Sequence, residues 1–237
     1  MSERSMTPRR LAQFSLLLAL TLVLSWLDRS IPVTWFLSGA IPGIKLGLAN
    51  TVLLYAIYLM DWKSAIVLMV AKVVLTGFMF GSLSAILYSL SGGILSLAVM
   101  LLVKRYPAIG ALVIAAAAFA SDVLIIRRAG GVPTGDMLWC AVLIALAAVS
   151  AIVIYILLRR HKDHEVLGVS LAGGVFHNVG QMLAAAALLR VPQLLYIYLP
   201  VLVGMGAVVG CLTGIVARLA FRALRANGAG PRKESDT

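Results

Sequence analysis

Apolar runs of about twenty residues recur along the whole chain, and they fix its class before any motif is read. They cover about 11–27, 46–60, 64–88, 92–103, 108–126, 137–158, 168–189 and 195–221. Crossing a hydrocarbon layer of about 30 Å takes about 20 helical residues, so most of these runs are long enough to span it. Composition agrees: of 237 residues, 62% are hydrophobic and 12% charged. A soluble domain is about half apolar and about a quarter charged. The runs are continuous and do not alternate, which argues against a membrane β-barrel. The expected fold is an all-α, polytopic membrane bundle of eight transmembrane helices. Residues 1–10 form a short leading segment, 11–221 the integral membrane domain, and 222–237 a polar, disordered tail.

The net charge is +11, a value that in a soluble chain would suggest nucleic acid. Here the basic residues sit in short clusters between apolar runs, so they read as topogenic charge and no nucleic-acid partner is expected. With eight alternating spans, most of the 20 basic residues fall on one side. Only Arg29, Arg127, Arg128 and Arg190 fall in loops on the other. The positive-inside rule then places both termini in the cytoplasm. The first run follows Arg4, Arg9 and Arg10 but leads into Trp26-Leu-Asp-Arg29 without a small-x-small cleavage site. It reads as a retained helix. Cys140 and Cys211 lie inside apolar runs and read as small apolar side chains with no disulfide role.

Polar groups inside such runs are expensive, so each one needs a reason. The richest set is Ser170-Leu-Ala-Gly-Gly-Val-Phe-His177-Asn178-Val-Gly-Gln181. Helical spacing puts His177 and Gln181 one turn apart, Asn178 beside them, and Ser170 and Gly174 on the same side. This stripe reads either as a solute-facing wall or as hydrogen bonding that holds the bundle together. Lys72 lies in the middle of the third run. It would pair with Asp122, snorkel, or meet an anionic group of a solute. Pro42-Gly43 precedes Lys45 and Asn50 at the start of the second run, where exposed backbone N–H groups and a lysine favour anions. The stretch 30–43 is apolar yet broken by Pro32, Gly39, Pro42 and Gly43, which suits the outer interface or a fold back over the bundle mouth. Gly206, Gly210 and Gly214, and Gly77 with Gly81, make GxxxG patterns for close helix packing or for a partner subunit.

Several chemistries lack their residues. There is no G-x-x-x-x-G-K-[ST], no CxxC and no HExxH. The nine acidic residues include no DDxxD pair of the kind that holds Mg²⁺ on a diphosphate. The chain therefore leans away from catalysis, and no cofactor, metal site or catalytic residue is expected.

Pro42-Gly-Ile-Lys-Leu-Gly-Leu-Ala-Asn50, Ser89-Leu-Ser-Gly-Gly93 and the Gly168–Gln181 motif together resemble the Gx transporter family of bacterial membrane proteins. Its members carry the label heptaprenyl diphosphate synthase component I. The resemblance covers about 10–104 and 166–220 and implies a six-helix core. Between about 105 and 165 the chain departs from it, with an inserted two-helix hairpin whose basic ends fall on one side. The core is also similar to the substrate-binding subunits of energy-coupling-factor transporters. The resemblance implies a solute-binding transport subunit in the bacterial cytoplasmic (inner) membrane. A small anionic or polar solute would be bound by Lys45, Asn50, Lys72, Ser170, His177, Asn178 and Gln181. A membrane or ATPase partner subunit, or an ion gradient, would supply the energy. The family label implies an alternative: a membrane component of heptaprenyl diphosphate synthesis for the menaquinone side chain.

Overall fold

In hydrocarbon a backbone amide finds no water, so a single spanning segment must bond to itself as a helix. The computed structural model describes residues 8–30, 48–80, 83–106, 116, 119–120, 123 and 162–226. Among these, the regular structure is helical throughout: α1 (Pro8–Ser30), α2 (Asn50–Leu59), α3 (Trp62–Phe80), α4 (Leu83–Arg105), α5 (Lys162–Leu189), α6 (Gln193–Ile197) and α7 (Leu199–Ala226). Five stretches are long and apolar enough to cross a membrane: Arg10–Asp28, Trp62–Met79, Leu83–Arg105, Glu165–Leu189 and Leu199–Ala226. Helix α2 is apolar but shorter. The eight-span count and the inserted hairpin rest on 105–165, nearly all of it outside the described residues, as are Lys45, Asp122, Cys140 and the broken stretch at 31–43.

Two boundaries differ from the sequence reading. The third and fourth runs divide at 81–82, between α3 and α4, and not near Ser91-Gly92-Gly93. Those residues lie inside α4, and both glycines are buried. A glycine pair breaks a helix in water, but in a membrane bundle it marks where another backbone comes close. The eighth run also continues further, as α7 remains helical to Ala226.

Helix α5 is the centre of the bundle. Of its apolar window 89% is buried, against 17% for α1 at the periphery. Its main neighbours are α4 and α7. Both approaches depend on missing side chains. A Cβ on Gly180 would lie 2.8 Å from the Gly92 Cα, and one on Gly206 would lie 2.6 Å from the Gly174 carbonyl oxygen. Gly210 and Gly214 of α7 meet Ser170, Leu171 and Leu167 of α5 in the same way. The glycine ladder of α7 is thus consumed in internal packing.

The surface, unlike that of a water-soluble protein, is rich in large apolar side chains, while the core holds polar residues among its apolar ones. Phe78 (81% exposed), Leu83 and Leu16 face outward, where acyl chains are the solvent. Thr21, Ser96, Asn178 and Gln181 are fully enclosed. Hydroxyls bond across the helix pairs: Ser96 donates to the Gly173 carbonyl (2.8 Å) and Ser91 to the Gly180 carbonyl (2.9 Å).

Helices α2 and α3 form an antiparallel hairpin through Met60 and Asp61. Asp61 stands just before α3, and its Oδ1 accepts the Ser64 backbone N–H at 3.1 Å. That is an N-cap bond. The hydrogen bonding from Ser64 holds the Asp61 carboxyl below its ordinary value, against a smaller opposing effect of burial.

Candidate functional site

The α2–α3 turn sets the site. At 1.5 Å per residue, Asn50 at the start of α2 and Lys72 in α3 both lie about 15 Å from the turn, half of a hydrocarbon layer of about 30 Å. The register brings them together, and Lys72 Nζ donates to Asn50 Oδ1 at 3.1 Å. Both residues are buried. The first residue of helix α2, at the positive end of its dipole, is therefore beside an ammonium.

Asn50 also lines a cleft. Its other walls are Thr51 of α2, Met100 of α4, Ser170, Gly173 and Gly174 of α5, and Val209, Gly210 and Thr213 of α7. The cleft is narrow, with room for about one water molecule. Gly173, Gly174 and Gly210 leave the space, and Asn50, Thr51, Ser170 and Thr213 make it polar. Ser170 Oγ lies 3.0 Å from Thr213 Oγ1, which donates to the Val209 carbonyl at 2.8 Å. Asn50 Nδ2 is buried and has no hydrogen-bond partner among the described residues.

The polar residues of α5 beyond the cleft divide between two faces. His177 and Gln181 pack on Gly92 of α4: a Cβ there would lie 2.9 Å from His177 Nδ1 and 2.8 Å from Gln181 Cγ. Asn178 turns to α7, where Nδ2 donates to the Leu202 carbonyl at 2.7 Å. All three are at most 2% exposed, so none faces lipid. The single stripe expected from spacing is thus two stripes. Gly173, His177 and Gln181 meet α4, while Ser170, Gly174 and Asn178 meet α7. A helix sandwiched between two neighbours uses both flanks, and one residue of offset, about 100° round the helix, separates them.

Toward the Lys162 end of α5, a third polar layer closes the bundle. Tyr58 Oη donates to Glu165 Oε1 at 3.0 Å. Lys104 Nζ donates to the Ile57 carbonyl at 3.2 Å and lies 4.9 Å from the Tyr58 ring centre. Phe221 packs edge-on to Tyr55, with ring centres 5.0 Å apart.

Of the residues singled out from sequence, Asn50 and Ser170 share the cleft and Lys72 stands directly behind Asn50. His177, Asn178 and Gln181 lie beyond it along α5, and Lys45 is outside the described residues. Thr51, Thr213 and Ser96 were not singled out. Thr213 carried a signal, since it lies between Gly210 and Gly214 on a close-packing face.

Long apolar helices, an outward apolar surface and polar residues enclosed among apolar ones define a multi-pass α-helical membrane protein. A family model described as heptaprenyl diphosphate synthase component I matches residues 17–125 and 111–220, and the chain belongs to that family. It is the family that the three motifs resemble. Comparison with curated proteins gives no match, and comparison with solved structures gives none.

Proposed function

We propose that this protein is a solute-binding transport subunit of the bacterial cytoplasmic membrane, with both termini in the cytoplasm. The observation that carries the reading is Asn50. A helix start, an ammonium and a hydrogen-bond donor with no partner among the described residues converge on a polar cleft between four helices. Leaving a buried amide unbonded costs about 1–3 kcal/mol, which a ligand would recover. In this reading the described arrangement is the closed one. Asn50 and Ser170 touch a small polar or anionic solute, and Lys72 acts through Asn50. His177, Asn178 and Gln181 form the layer that parts to admit it, and Lys45 attracts it at the mouth. A partner subunit or an ion gradient supplies the energy.

The family's description favours a second reading, a membrane component of heptaprenyl diphosphate synthesis. The lack of a DDxxD pair among the nine acidic residues weighs against a catalytic share in that chemistry. Native mass spectrometry of the gently solubilised protein separates the two. A small molecule retained by the wild type and lost in Asn50→Leu is the expected result. A wild type that carries none, or a variant that carries it equally, overturns the transport reading.

A further inference from the structure

The protons around the cleft can be assigned, and their assignment limits what the cleft accepts. An ammonium can only donate, so the Asn50 atom 3.1 Å from Lys72 Nζ is necessarily the oxygen. This fixes the amide orientation, which leaves the two N–H bonds of Nδ2 unspent among the described residues. The hydroxyls are the reverse. Thr51 Oγ1 is 2.7 Å from the Leu48 carbonyl, which can only accept, so its proton is committed there. Thr213 Oγ1 commits its proton to α7, with the Val209 carbonyl at 2.8 Å and the Gly210 carbonyl at 3.2 Å. Ser170 Oγ, 3.0 Å from Thr213 Oγ1, must then be the donor in that pair. The three hydroxyls of the cleft thus present lone pairs, and the one amide edge presents protons.

We infer that the cleft is a subsite for a neutral group that both accepts and donates hydrogen bonds, a hydroxyl or a carboxamide, and that it disfavours a carboxylate. This rests on the solute-binding reading and narrows it. A hydroxyl or carboxamide takes a proton from Asn50 and gives one to Ser170 or Thr51. A carboxylate is served by Asn50 but meets the hydroxyl lone pairs, and turning Ser170 toward it breaks the bond to Thr213. An alkylammonium can serve the hydroxyls but faces the Asn50 N–H edge with Lys72 behind it. Both charged forms are therefore selected against, from opposite walls.

Asn50→Asp should change the order. The new carboxylate would still accept from Lys72 and would turn a second oxygen, not an N–H, into the cleft. The test uses three fragments of similar size with the full-length protein in lipid nanodiscs: acetamide, acetate and methylammonium. Concentration-dependent shifts of the unfolding midpoint give apparent affinities. In the wild type, acetamide should bind roughly tenfold or more tightly than acetate or methylammonium, since unmatched hydrogen-bonding groups are strongly rejected. In Asn50→Asp, methylammonium should become the preferred fragment. Acetate binding the wild type as well as acetamide does, an unchanged order in Asn50→Asp, or no acetamide binding each overturns the inference. If Asn50→Asp fails to insert, Ser170→Ala replaces it and should weaken acetamide binding; unchanged binding there overturns it equally. A solute retained in the mass spectrum without acetamide selectivity would remove this chemistry alone. Loss of both would remove the solute-binding reading as well.

Discussion

Lys72 has a partner that its spacing did not announce. In sequence Lys72 could pair with Asp122, snorkel, or meet an anionic group of a solute, and Asp122 lies outside the described residues. In the fold Lys72 meets an amide. That pairing depends on where the α2–α3 turn falls, and a hairpin register is a tertiary fact with no local signature. Charge and amide were both legible as costly groups, since hydrocarbon penalises them wherever they sit. Replacing Lys72 by Met keeps the side-chain length and removes the donor to Asn50 Oδ1. The freed amide can then flip or rotate, so solute affinity should fall by about tenfold or more, the worth of one charged hydrogen bond. Equilibrium binding of the retained solute, once eluted and identified, measures this; affinity within twofold of wild type would show that Lys72 does not act through Asn50.

At the scale of elements, the long apolar helices were legible because the period and length of the runs are what the bilayer demands. Their edges were less so. Ser91-Gly92-Gly93 has the composition of a break and the position of a contact, and sequence cannot tell a glycine that ends a helix from one that admits a neighbour. The two flanks of α5 were blurred for a related reason: Asn178 is one residue from His177 but faces the opposite partner. Gly206→Ala tests the close approach. The new methyl would lie 2.6 Å from the Gly174 oxygen and 2.8 Å from Asn178 Nδ2, so α7 must retreat. A loss of about 1–3 kcal/mol is expected from denaturant unfolding in mixed micelles. A second element-scale test concerns the α3 cap. The Asp61 carboxyl is held low in the folded state, so its stabilisation is present above the unfolded value and is lost as pH falls through the folded one. Stability measured downward from pH 5 should therefore fall in the wild type. Asp61→Asn, which keeps a capping oxygen, should flatten that dependence.

For the whole molecule, polar residues enclosed behind an apolar surface carry the functional account. Large apolar side chains such as Phe78 face outward, and buried polar residues are spread over α1 to α5, with Ser170, His177, Asn178 and Gln181 on the enclosed α5. A packed interior of this kind serves assembly equally well if it never opens. The central claim is that the cleft between α2, α4, α5 and α7 opens to the outside during function. Val209→Cys, in a background with Cys140→Ser and Cys211→Ser, places a single thiol in its wall. The most direct measurement is labelling of that thiol in intact cells by a small, membrane-impermeant methanethiosulfonate added from outside. The account expects labelling that slows when the identified solute is present. A thiol that stays unmodified in growing cells, while a control cysteine in an outer loop reacts, would contradict it.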